Sequence, residues 1–372
     1  MKPRMLRNSP RLLVGWLASL IILSLIVASC AAPPVAPQPV VETVVVTQAV
    51  PVPVTQVVEI TPVPLTKVDA CFSAASGTMA VAWYAYENDL FEKYGLDVNL
   101  TFIASGSKAA TAMIAGNVEF CQIAGNAVTN AVVAGGGLVM IGGLFNTYTY
   151  SLMASPDIAS VDDLRGKTLG ISRPGSSSDA ALRAALKSLG LDPDTDVTIV
   201  TIGSEPERIA ALEAGAIAGT VINVPESSEA KAKGFKELAD LSTLGIPFQH
   251  TGIATSRAYI ESNREVVVNF MKAIAEAIAM MKQDKEGTIA VIADYLLLDP
   301  EESEASLNEA YDVLVVNFLP QAPYPTLDGI QTLLTAAAEE DPNAANFKPE
   351  DVADLSIVKE LEDSGFIASL YK

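Results

Sequence analysis

From residue 67 onward, short apolar runs alternate with amphipathic stretches. Residues 68–73 form an apolar run, and Gly77 and Thr78 open a helical pattern that continues to Tyr94 and stops at Gly95. The next runs are 96–103, 118–123, 138–145 and 150–154, with helical stretches at 109–115 and 127–134 between them. The rhythm restarts after Ser155-Pro156: strand-like 168–172, helix to Leu189, strand 197–202, helix 205–214, strand 220–223, helix 225–233, strand 235–241. After a last run at 250–255 the chain turns helical, and Val267, Phe270, Met271, Ile274, Ile278 and Met281 recur on one helical face. Further helices are expected through residue 293 and over 301–314 and 327–338. Near-continuous apolar strands alternating with helices predict an α/β architecture, each unit a mostly parallel sheet flanked by helices. Two such units followed by a helical C-terminal region predict two lobes with a ligand cleft between them.

The first 66 residues differ. Residues 1–11 are basic, residues 12–28 are almost purely apolar, and Val27-Ala28-Ser29-Cys30 follows. A basic start, a short apolar core and a small-residue end read as a secretory signal over 1–29. Residues 30–66 are rich in Pro, Val and Thr, with eight prolines from Pro33 to Pro64. Proline removes donors and favours extended chain, so this stretch reads as a semi-rigid tether.

Charge and composition narrow the chemistry. A net charge of −20 opposes nucleic-acid binding, because phosphates would be repelled. Three cysteines and one histidine are too few for a disulfide scaffold or a His-rich metal site. No nucleophile–base pair is apparent in the sequence and G-x-S-x-G is absent, so a non-enzymatic protein without cofactor or metal is expected. Cys71 and Cys121 fall at equivalent points of two strands. Two buried free thiols are the favoured reading; a disulfide is permitted by an oxidising compartment, though parallel-strand geometry restricts it.

Five strand-to-helix loops are rich in Gly, Ser and Asn: 73–78, 105–108, 125–126, 173–178 and 223–226. Helix starts supply unpaired backbone N–H groups and a positive dipole end, and cleft ligands bind outside the carboxyl ends of strands. Candidate ligand contacts are therefore Ser76, Gly77, Ser105, Gly106, Ser107, Gly125, Asn126, Gly175, Ser176, Ser177, Asn223 and Glu226, together with Tyr148 near the first crossing and His250 near the second. Arg173 and Lys108 are the cations beside these loops.

Particular stretches resemble a known family. The run Leu90-Phe91-Glu92-Lys93-Tyr94-Gly95-Leu96-Asp97-Val98, the run Ala112-Met113-Ile114-Ala115-Gly116-Asn117-Val118-Glu119-Phe120, the block Asp163-Leu164-Arg165-Gly166-Lys167 and the run Arg208-Ile209-Ala210-Ala211-Leu212-Glu213-Ala214-Gly215 are similar to the solute-binding proteins of ABC importers for nitrate, sulfonates, taurine and thiamine pyrimidine precursors. The ending at Cys30 resembles a bacterial lipobox, which implies lipidation of that cysteine and a lipid-anchored protein outside the cell membrane. The resemblance implies a periplasmic-binding-protein fold with the first lobe completed after residue 244, so that 67–152 and 245–372 form the first lobe and 153–244 the second. It further implies capture of a small polar solute, delivery to a permease with its cytoplasmic ATPase, and action as a monomer. In sulfonate binders a Gly-Ser-Ser turn at a helix start holds the oxoanion, and Gly175-Ser176-Ser177 stands in that place. Asp179 occupies a position where that branch often has His. The first loop lacks the Trp and His elements of the pyrimidine-precursor branch, and Trp83 reads as a packing residue. A sulfonate, taurine or nitrate-like solute is therefore expected ahead of a neutral heterocycle, with a sensory lipoprotein as a further alternative.

Overall fold

The computed structural model describes residues 64–372. The signal-like segment, Cys30 and nearly all of the tether lie outside the described residues. In chain order the elements are β1 (Thr66–Phe72), α1 (Ala80–Glu87), α2 (Leu90–Lys93), β2 (Leu96–Phe102), α3 (Gly106–Ile114), β3 (Phe120–Ala124), α4 (Gly125–Val133) and β4 (Leu138–Phe145). Then come β5 (Ser151–Ala154), β6 (Thr168–Ile171), α5 (Ser177–Ser188), β7 (Thr198–Thr201), α6 (Glu205–Glu213), β8 (Gly219–Ile222), α7 (Glu226–Ala232) and β9 (Lys236–Asp240). The chain continues through β10 (Thr251–Ser256), α8 (Arg257–Gln283), α9 (Lys285–Leu296), α10 (Glu304–Ala310) and α11 (Leu327–Glu340).

Two five-stranded sheets result, in the orders β2-β1-β3-β10-β4 and β7-β6-β8-β5-β9. Each holds one antiparallel strand: β10 against β3 and β4, and β5 against β8 and β9. In both cases it is the strand that arrives from the other sheet. The chain crosses first between Phe145 and Ser151, and returns before Thr251. Ser151 and Leu152, assigned from sequence to the first lobe, already pair in the second sheet. The two crossings touch where the Tyr148 and Phe248 rings stack, 3.7 Å between centroids.

Burial follows the apolar pattern. The α8 stripe Val267, Phe270, Met271, Ile274, Ile278 and Met281 is buried, and Phe270 stacks on Phe120 of β3 at 4.0 Å. Trp83 is fully buried and stacks on Tyr295 at 4.6 Å, a packing role as its helical position implied. The second sheet packs Leu152, Leu169 and Val221 against Leu182 and Leu186 of α5.

Two expectations need correction. The helix read through Tyr94 breaks after Glu87, because Asp89 turns left-handed at φ +55° before α2 begins. Asn88 and Asp89 are among the few residue types that accept such a break, and the Asn88 amide bonds back to the Tyr84 carbonyl at 2.9 Å. The second correction concerns the thiols. Cys71 and Cys121 are direct register partners on parallel β1 and β3, and they form a disulfide with Cα atoms 4.4 Å apart. Strand adjacency alone brings them to the short end of disulfide reach.

Candidate functional site

The loops at the carboxyl ends of β1 and β3 face those after β6 and β7 across a cavity with about 40 Å³ of free volume, room for a few waters. From the first lobe come Ser73, Ser105, Gly106, His250 and Thr251; from the second come Ser172, Ser176, Ser177, Ser178, Glu205 and Arg208. Tyr150 closes it at the crossing.

The second-lobe wall is a braced serine cluster. Ser176 caps α5, its hydroxyl accepting the Asp179 N–H. Ser172 Oγ donates to Ser176 Oγ at 2.7 Å, and Ser178 Oγ accepts the Ser172 N–H at 2.9 Å. Ser177, half-buried, shares a hydrogen bond of 2.8 Å with the Tyr150 hydroxyl. The α5 dipole therefore opens on the cavity through a set of hydroxyls. Opposite, Ser105 sits before α3 at φ +85°, a conformation that costs a non-glycine residue and that its N–H bond to the Ser73 carbonyl helps hold.

Charge enters as a buried pair. Arg208 and Glu205, one turn apart on α6, are 2% and 4% exposed and approach to 3.7 Å. The guanidinium is anchored within the lobe: it donates to Thr220 Oγ1 at 3.1 Å and to the Gly203 and Val221 carbonyls at 3.0 and 3.2 Å. Glu205 accepts from the backbone N–H and the side-chain amide of Asn223 at 2.5 and 3.1 Å. Burial raises the Glu205 pKa, with Arg208 opposing. Thr149 Oγ1 donates to Asn223 Oδ1 at 2.7 Å and lies 2.9 Å from His250 Nδ1. Burial lowers the His250 pKa to about 3, so the ring is neutral at physiological pH.

Five of the sequence-proposed contacts line this cavity: Ser105, Gly106, Ser176, Ser177 and His250. The others serve elsewhere. Ser76 is buried and accepts from the Thr78 hydroxyl at 3.3 Å. Gly77 lets the chain pass under the Val224 carbonyl, which a Cβ there would meet at 3.0 Å. Gly125 lies against Gln249, whose carbonyl would be 2.4 Å from a Cβ. Ser107 is half-buried on α3 with its carbonyl accepting from Thr111. Asn126, Tyr148 and Gly175 line a second cavity beside the crossings. Asn223 serves as the link between Glu205 and Thr149. Glu226 is buried at the start of α7, and burial together with Glu205 pushes its pKa well up.

The sequence reading missed Arg208, Glu205 and Thr251. It placed its cations at Arg173 and Lys108, which are exposed. The available signal was the spacing of Glu205 and Arg208, which puts both on one face of the first turn after Ser204. Among the described residues no group of three His, Cys, Asp or Glu side chains is placed to hold a metal, and no helix is long and apolar enough to cross a membrane.

A family model described as NMT1/THI5 like matches residues 77–287, over half of the chain. The chain belongs to the NMT1/THI5-like family. Within it, the chain is 28% identical over 216 residues to a putative ABC transporter periplasmic binding protein of Brachyspira hyodysenteriae, covering 54% of this chain and 61% of that one. It is also 28% identical over 211 residues to the riboflavin-binding protein RibY of Chloroflexus aurantiacus, covering 56% and 55%. The chain thus spans little more than half the length of these relatives. The structure is similar to the alkanesulfonate-binding protein SsuA of Xanthomonas axonopodis pv. citri bound to MOPS, with a TM-score of 0.63, 20% identity, and coverage of 78% of this chain and 100% of that one. This NMT1/THI5-like chain has the periplasmic-binding-protein fold that the sequence blocks implied: two sheets flanked by helices, with a helical C-terminal region.

Proposed function

We propose that this protein is the solute-binding component of an ABC importer, closing its two lobes on a small polar solute and presenting it to a membrane permease driven by a cytoplasmic ATPase. One observation carries the reading. Ser105 Oγ, His250 Nε2 and Thr251 Oγ1 are buried, lack any hydrogen-bond partner, and belong to residues lining the one cavity. Buried polar groups without partners are rare, and three around one cavity suit a ligand that supplies them. The relative named as a putative ABC transporter periplasmic binding protein and the one named as riboflavin-binding support the same role. A lipid anchor at Cys30, with the tether holding a monomeric body off the membrane, fits this delivery.

On the solute, the geometry favours a neutral or zwitterionic compound, such as a heterocycle of the riboflavin or pyrimidine kind or taurine. Arg208 is faced by Glu205 at 3.7 Å, so its charge is compensated within the lobe before a solute arrives. An oxoanion such as a sulfonate or nitrate is the second reading, favoured by the α5 start at Ser176 and Ser177 and by the likeness to SsuA. The free volume admits only a few waters, so entry of any larger solute requires the lobes to part.

A thermal-shift screen tests the role, followed by calorimetry on riboflavin, a hydroxymethylpyrimidine, taurine, methanesulfonate and nitrate. A solute at 100 times its Kd stabilises the folded state by about 2.7 kcal/mol. Small-angle scattering that shows no compaction with a bound solute would count against closure.

A further inference from the structure

The hydrogen bonds from Glu205 to His250 have one consistent direction. The Glu205 carboxylate, faced by Arg208 at 3.7 Å, accepts both the backbone N–H and the side-chain amide N–H of Asn223. That orients the Asn223 carbonyl oxygen toward Thr149, whose hydroxyl donates to it at 2.7 Å. A hydroxyl has a single proton to give. Toward His250 Nδ1, 2.9 Å away, Thr149 Oγ1 is therefore an acceptor, and Nδ1 carries the ring proton. A neutral imidazole holds only one such proton, so Nε2 is a bare lone pair. Nε2 has no partner in the protein, His250 is fully buried, and the residue lines the cavity.

We infer that His250 Nε2 is a fixed hydrogen-bond acceptor of the cleft, and that the solute meets it with an N–H or O–H group. The inference rests on the solute-binding reading and narrows it. The other two unpartnered atoms, on Ser105 and Thr251, belong to hydroxyls that rotate to donate or accept, and do not discriminate between solutes. His250 does. Nitrate and simple alkyl sulfonates offer acceptors alone, and each would set lone pairs against Nε2 in a buried site. Amines, lactam N–H groups and alcohols satisfy it. The cleft thus separates solutes by a donor they must carry, as sites built around a buried polar group do.

The chain has a single histidine, so its imidazole ¹⁵N spectrum reports this ring with no assignment needed. The expected result for the free protein at pH 6–7 is the Nδ1–H tautomer, with Nε2 in the unprotonated range. Nitrate and methanesulfonate at millimolar concentration are expected to leave both the ring signals and the melting temperature unchanged. A Thr149→Val variant removes the acceptor that holds the Nδ1 proton and should release the ring to a mixture of tautomers. An Nε2–H tautomer or an imidazolium in the free protein overturns the inference, as does a ring unchanged by Thr149→Val. Stabilisation by nitrate or methanesulfonate also overturns it while upholding solute binding. A broad screen in which nothing stabilises the protein would count against the solute-binding reading, and the tautomer would still decide the acceptor.

Discussion

Asn126 of α4 donates its side-chain N–H to the Gly175 carbonyl at 2.7 Å, joining a helix start of the first lobe to the loop before α5 in the second. Both residues looked from sequence like solute contacts; they contact each other instead. The Gly175 N–H is already taken by the Asp179 carboxylate at 2.8 Å, and Asp179 in turn holds Arg183 at 2.9 Å. The loop is thus braced within its own lobe and presents a carbonyl outward. Glycine is required there, because φ is +70° and a Cβ would lie 3.1 Å from Asn130 Nδ2.

This bond predicts a shift in lobe closure. Asn126→Ala removes a cross-lobe hydrogen bond worth about 1 kcal/mol, a roughly fivefold change in the closed-to-open ratio. The expected outcome is a larger radius of gyration in the solute-free variant, with little change in unfolding free energy. Identical scattering curves for variant and wild type would show that the bond does not hold the lobes.

The Arg208–Glu205 pair predicts an asymmetric mutational response. Arg208→Met leaves the Glu205 carboxylate buried without its counter-charge, an arrangement that costs about 3–5 kcal/mol. Adding Glu205→Gln in the same chain removes that charge and should recover most of the loss. Urea denaturation of the two variants checks this. Equal stabilities would mean that the pair contributes packing alone.

What was legible in the sequence, and what was not, divides along physical lines. The alternation of apolar runs and helices, and the serine-rich helix starts at Ser105-Gly106 and Ser176-Ser177, follow from local chemistry and were readable. The buried pair was not: Glu205 and Arg208 sit on a short polar helix start that looks solvated until packing covers it. Strand register likewise decides the Cys71–Cys121 bond, and register is a non-local property. Gly77 and Gly125 read as loop glycines near a ligand, yet each is needed for close approach of backbone to backbone. His250 was readable as a candidate, but its tautomer depends on Thr149 and Asn223, which are far from it in sequence.

Glu226 predicts a stabilising substitution. Burial, then the nearness of Glu205, raises its pKa well above the ordinary 4.5, and Oε2 has no partner. A raised native pKa means stability that is fully present below the unfolded value and lost as pH rises toward the native one. Glu226→Gln abolishes that loss. The variant should therefore gain on wild type by about 1.4 kcal/mol per pH unit across that window, and the gain should vanish near pH 4. Unfolding free energies at pH 4.5 and pH 8 measure it; an equal difference at both would exclude the raised carboxyl.

His250 predicts the opposite sign. Its native pKa, about 3 against an ordinary 6.5, is depressed by burial. The folded protein keeps the ring neutral while the unfolded chain takes up a proton below pH 6.5. Stability from this residue is then fully present above pH 6.5 and falls as the pH drops toward 3, by about 1.4 kcal/mol per unit. Glu205 and Glu226 act against it, because their raised pKa values add stability on acidification. Comparison with His250→Gln cancels those contributions, since both carboxyls remain in each chain. Between pH 7 and pH 5 wild type should lose about 2 kcal/mol relative to the variant. Chemical denaturation at the two pH values gives the number directly. A difference that stays constant would mean that His250 gains a proton in the folded state as easily as in the unfolded one, and that the ring is not sealed from water.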